Sequence, residues 1–111
     1  MRHYKEVYSE DTQGFHITLS IRPEDTDPRD VYDWNQSELD DLCDKIDRGL
    51  LVWFVARVDA YRYGVLLASE YLGECMYDSI NEFIVEDYYA DMVDSVVSEA
   101  KKIMARLQCE H

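Results

Sequence analysis

The sequence predicts an α+β fold: an antiparallel sheet of three or four strands with helices packed on one face. Three observations carry this. The stretch FHITLSIR, Phe15 to Arg22, alternates apolar and polar residues without error. The stretch WNQSELDDLCDKIDRG, Trp34 to Gly49, holds a complete short helix with its caps. From Asp87 onward, apolar residues recur at helical spacing to Leu107. With 111 residues, 47% of them apolar, the chain suffices for one domain, residues 1–111, with a modest core.

In chain order, HYKEVYS (His3 to Ser9) reads as a weak strand and EDTQG (Glu10 to Gly14) as a hairpin turn. In the strand that follows, Phe15, Ile17, Leu19 and Ile21 share one face, and His16, Thr18, Ser20 and Arg22 the other. Pro23 to Asp30, PEDTDPRD, reads as a polar loop punctuated by both prolines. The first helix is capped by Asn35, with Glu38 three residues on as a capping box and Trp34 against Leu39 as a hydrophobic staple. Leu39, Leu42, Cys43 and Ile46 form its apolar stripe, and Gly49 supplies the left-handed residue that ends it.

Leu50 to Val58 is apolar on both faces before it alternates, as a central strand does. Val65 to Tyr71 pairs back across a turn at Arg62, Tyr63 and Gly64, and Gly73 is expected to close that strand. Tyr77 to Ile84 opens a helix, with Ser79 and Glu82 spaced as a second capping box. The last helix aligns Tyr89, Val93, Val96, Ala100, Ile103 and Leu107 on its buried side.

Three cysteines without a CxxC pair argue against a disulfide framework. Cys43 reads as a core residue, Cys75 and Cys109 as free thiols. No run approaches the ~18 apolar residues of a membrane span. The opening MRHYKEVYSE lacks the apolar centre of a signal peptide, so a cytoplasmic chain is expected.

The net charge of −13 is confined to two blocks. Residues 24–47 hold ten acids against Arg29 and Lys45, and residues 70–99 hold nine acids and no base. Such a field repels nucleic acid and anionic membrane and attracts basic surfaces. Acids at helical spacing also make ordinary solvated faces, so the alternative is that they serve solubility. No catalytic constellation assembles. His16 has no matched nucleophile, DTDPRD lacks the glycine and distal glutamate of a calcium loop, and the terminal CEH has no second half-site of zinc spacing. A non-enzymatic protein without cofactor or metal is expected.

The first helix aligns Asp40, Asp44 and Asp47, with Asp41 beside them; the last aligns Asp87, Asp91 and Asp94, with Tyr88 beside them. Carboxylates at i, i+4 and i+7 recur every ~5–6 Å along a helix axis, close enough to phosphate spacing for a rigid helix to present charge where lysines expect it. The nine tyrosines add interface-forming area at small entropic cost.

The segment YYADMVDSVVSEA, Tyr88 to Ala100, resembles a stretch of Ocr-type anti-restriction proteins, chiefly through YYAD and the later SE. Size, charge and tyrosine content are similar to those of small phage-encoded DNA mimics that block restriction enzymes or CRISPR effectors. Ocr-type proteins are helical whereas this chain reads three clear strands, so the resemblance implies a shared strategy. The expectation is a phage or mobile-element inhibitor acting in the host cytoplasm. Its partner would be a basic nucleic-acid-binding protein or complex, not nucleic acid or membrane. Asp40, Asp41, Asp44, Asp47, Asp87, Tyr88, Asp91 and Asp94 are the expected partner-binding residues. The alternative is a small acidic interaction module, a homodimer in one form.

Overall fold

A computed structural model of the chain describes residues 3–109, with side chains to residue 107. Four strands, β1 (Lys5–Thr12), β2 (Phe15–Pro23), β3 (Val52–Arg62) and β4 (Val65–Tyr77), form one antiparallel sheet in the order β1-β2-β3-β4. The two outer hairpins turn over two-residue loops, Gln13–Gly14 and Tyr63–Gly64, in which all four φ angles are positive. A type I′ turn requires this, and its twist matches that of the flanking strands. β1 therefore sits later than the expected His3 to Ser9, because the turn takes only the last two residues of EDTQG.

The alternation of β2 does what it predicts. Ile17 lies opposite Ala60, Leu19 opposite Val58 and Ile21 opposite Ala56, which places the apolar faces of β2 and β3 together. Two later helices, α3 (Ile80–Val85) and α4 (Asp87–Cys109), cover that face. Phe54, Phe83, Ile17, Leu19, Val58 and Val96 are the largest side chains in the core. The α4 stripe holds from Tyr89 to Ala100, and Met92 and Val97 join it. Ile103 is only half-buried and Leu107 is exposed, a correction at the C-terminal end of the stripe. Polar ties fix the helix across the sheet: Tyr89 Oη donates to Glu10 Oε2 (2.7 Å), and Lys101 Nζ to Gln13 Oε1 (2.6 Å).

Two further helices lie between β2 and β3. α1 (Pro28–Val31) occupies what the sequence suggested was loop. Asp27 caps it by accepting from Arg29 N (2.9 Å), and Pro28 opens it where a missing N–H costs nothing. α2 (Gln36–Asp47) has the expected cap, Asn35 Oδ1 accepting from Glu38 N at 2.9 Å. α1 and α2 pack on each other, and the buried Leu39 and Leu42 of α2 stand outside the main core. The helices on the sheet face are thus α3 and α4. Cys43 is half-buried rather than core; Cys75, expected only as a free thiol, is the core cysteine. Cys109 is outside the described side chains.

Gly73 does not close β4. Register slips between Leu72 and Cys75, Glu74 takes a positive φ of 57°, and the strand runs on to Tyr77. The carboxylate of Glu24 stabilises this bulge by accepting from Glu74 N at 2.9 Å. A second slip in β4 falls at Ala60/Tyr61 of its partner, and β1 carries one between Glu6 and Tyr8.

The opposite face of the sheet is closed by side chains. At one end Trp53 Nε1 donates to Thr26 O (2.7 Å) and its ring meets Tyr32. Further along, Arg22, Tyr4, Arg57 and Tyr71 form a ladder, each guanidinium 5.6–5.7 Å from a ring centroid. Beneath it Asp59 is 4% exposed, accepting from Arg57 Nε (2.9 Å) and Ser69 Oγ. The carboxylate hydrogen bond holds the Arg57 pKa above its ordinary value.

Candidate protein-interaction surface

All eight sequence-predicted residues are exposed, but their electrostatic settings divide them. On α2, Arg29 reaches from α1 to Asp40 (Nη2 to Oδ1, 2.8 Å), and Gln36 donates to the same oxygen. The hydrogen bonds from Arg29 and Gln36 hold the Asp40 pKa below the usual carboxylate value, and donating to Asp40 raises the pKa of Arg29. Lys45 pairs with Asp41 (3.1 Å) and Arg48 with Asp44 (3.3 Å), both at i, i+4. Among the described residues, only Asp47 of these four has no ion pair. Three of the four α2 aspartates are therefore ion-paired, while Glu38 and Asp47 keep the helix acidic.

The N-terminal half of α4 is different. Asp87, Asp91 and Asp94 have no ion pair among the described residues, and no base lies between residues 70 and 99. Their i, i+4, i+7 spacing puts them on one side of a 23-residue helix that is anchored to the sheet by Tyr89, Val93 and Val96. Asp87 lies in the first turn, where the helix dipole favours it. Tyr88 is 60% exposed beside them, and Val85 of α3 is exposed next to the same helix start.

An aromatic seam connects the two acidic regions. Tyr32 and Tyr88 line one cleft of about 310 Å³ against the Leu72–Tyr77 bulge. Burial, with the charges of Glu86 and its neighbours, raises the Tyr77 pKa in this cleft. Tyr32 in turn stacks on Trp34 (centroids 4.7 Å apart, planes 28°). Trp34 then forms one wall of a second cleft on α2. The sequence reading placed Trp34 in a staple with Leu39 and missed its stack on Tyr32 and the seam that follows from it. The contact of Tyr32 with Trp53 joins residues far apart in the chain, which no local spacing reveals.

Other chemistry is thin. Asp11 and His16 are paired at 2.8 Å, but both side chains are more than half exposed, where water screens the pair. Among the described residues no group of three metal-ligating side chains converges. No described helix is long and apolar enough to cross a membrane. The fold class is thus α+β with a four-stranded antiparallel meander, and its most distinctive surface is acidic and aromatic. No family model, curated protein or solved structure matches the chain.

Proposed function

We propose that the chain is a non-enzymatic inhibitor, of phage or mobile-element origin, that occupies the nucleic-acid-binding cleft of a basic host defence complex in the cytoplasm. A CRISPR effector is the first target class and a restriction complex the second. The observation that supports this reading is the row Asp87, Asp91 and Asp94, unpaired on one rigid helix with Tyr88 exposed beside it. At 1.5 Å rise per residue the three carboxylates step ~6 and ~4.5 Å along the axis. Lysines that neutralise successive phosphates find comparable charge there without a nucleic acid. The paired acids of α2 favour a second reading for that helix alone, a protein-interaction module in which acids serve solubility.

The test is displacement. The immobilised chain captures partners from nuclease-treated host lysate, and duplex DNA or single-stranded RNA is added as competitor at constant ionic strength. Mimicry requires that nucleic acid elute the captured complex. It also requires that joint Asp87→Asn, Asp91→Asn and Asp94→Asn abolish capture while circular dichroism is unchanged. The same neutralisation at Asp40, Asp44 and Asp47 should matter less, since Asp40 and Asp44 are already paired. Capture indifferent to nucleic acid would leave the interaction module standing.

A further inference from the structure

The second cleft lies on the most acidic helix of the chain, yet its interior is apolar. It is an open cleft of about 420 Å³ lined by the apolar Trp34, Leu42 and Leu51 and the charged Glu38, Asp41 and Lys45. Leu42 is buried and forms the floor. Trp34 is 46% exposed, so its indole is open to a partner's side chain. The wall is also pre-set. The stack on Tyr32 fixes one face of the indole, so little rotamer freedom remains to be lost on binding. At the rim Asp41 holds Lys45, while Glu38 has its backbone N–H on Asn35 and no ion pair for its carboxylate among the described residues. The surrounding block, residues 24–47, has ten acids to two bases.

We propose that this cleft is a docking site for an apolar side chain of leucine or phenylalanine size, carried on a basic segment of a partner protein. The apolar walls select the anchor. The Glu38 carboxylate and the acidic block select a lysine or arginine next to it. The combination matches the general anatomy of a hot spot, an apolar pocket with a charged rim. The proposal deepens the inhibitor reading, from which it takes the basic partner. It divides the labour: the free acids of α4 draw the partner in, and the Trp34 cleft holds it.

Full-length protein labelled with 15N at tryptophan gives two indole signals, and Trp53, buried and hydrogen-bonded to Thr26 O, serves as the internal reference. Three helical peptides are the probes: a lysine–leucine amphipathic helix, a lysine–serine peptide of equal charge, and a glutamine–leucine peptide without charge. The lysine–leucine peptide is expected to shift the Trp34 indole saturably and leave Trp53 in place. The lysine–serine peptide should leave both in place, and the uncharged peptide should bind more weakly. Trp34→Ala should weaken binding of the lysine–leucine peptide about tenfold and that of the lysine–serine peptide hardly at all. A Trp34 signal unmoved by the lysine–leucine peptide, or moved equally by the lysine–serine peptide, overturns the proposal, and both are read on the unsubstituted chain. Neutralising Asp87, Asp91 and Asp94 separates the two ideas. If that variant still competes with nucleic acid for the target while the Trp34 shift persists, the mimic reading falls and the docking cleft stands.

Discussion

Replacing Asp59 by alanine tests how the sheet face opposite α3 and α4 is held. Asp59 is 4% exposed and accepts from Arg57 Nε and Ser69 Oγ. Its removal leaves a guanidinium without its carboxylate and a hydroxyl without its acceptor. Breaking a fully buried pair costs ~3–5 kcal/mol. The Arg57 side chain is 28% exposed and stacks on Tyr4 and Tyr71, so part of that cost is recovered from solvent and from the rings. Asp59→Ala should therefore destabilise by about 2 kcal/mol. Arg57→Ala strands the better-buried partner and should cost more, about 3 kcal/mol. Replacing both, as Arg57→Met with Asp59→Leu, should cost clearly less than the two single changes together, because apolar residues of similar volume need no partner and only the Ser69 hydroxyl is left unpaired. Urea unfolding followed by circular dichroism gives all four free energies at a common m-value. A cost below about 0.5 kcal/mol for Asp59→Ala, or single-variant costs that simply add in the double, would refute the argument that this pair closes the face.

Val96 is 1% exposed at the centre of the core, so Val96→Asp should leave an unfolded chain by circular dichroism; Leu42→Asp, in the smaller α2 cluster, should unfold α2 while the sheet signal survives. Cys75 is buried and desolvation pushes its thiol up to about 11, so only about a thousandth is thiolate at pH 8. Peptide mass spectrometry should find iodoacetamide on Cys75 only after denaturation, whereas the half-buried Cys43 reacts in the native state. Partial burial pushes the Glu24 pKa up, but hydrogen bonds from the Glu74 and Thr26 N–H groups outweigh it, and the net pKa is lowered. Its stabilisation is full above the ordinary carboxylate pKa and is lost as pH falls through the lowered folded value. The stability gap between parent and Glu24→Gln should be constant at neutral pH and close on the acid side; a gap that widens in acid would contradict the sign.

What the sequence disclosed was set by the range of the forces involved. The Asn35 and Ser79 caps bond groups three residues away, and both were readable. The reciprocal contact of Glu82 lands on Asp78 N, one residue before the cap, a shift that spacing does not resolve. The alternation of β2 was readable because Phe15, Ile17 and Leu19 are buried on one face of that strand. The α1 signature, Asp27 before Pro28, was also local, and the prolines were read as loop punctuation instead. The continuation of β4 past Gly73 depends on Glu24, 50 residues earlier, and is invisible along the chain. The division of the acidic residues was half legible. Asp41–Lys45 and Asp44–Arg48 follow from i, i+4 spacing, but the Arg29 bond to Asp40 needed the packing of α1 on α2. Nor does alternation mark Asp59 as buried: it sits on the strand's polar face, and only the side chains folded over it remove it from water.

The irregularities in the outer strands have a consequence for crowding. A sheet with two free margins is a template, and a neighbouring molecule can extend it by adding its own strand. Here β1 breaks step at Val7, and β4 breaks step on both sides of the run from Ala68 to Leu72. On β4 an incoming strand would find unbroken register only over that short run, and on β1 only from Tyr8 to Thr12. Both margins thus offer a second strand only a short regular edge, which blunts edge-to-edge pairing.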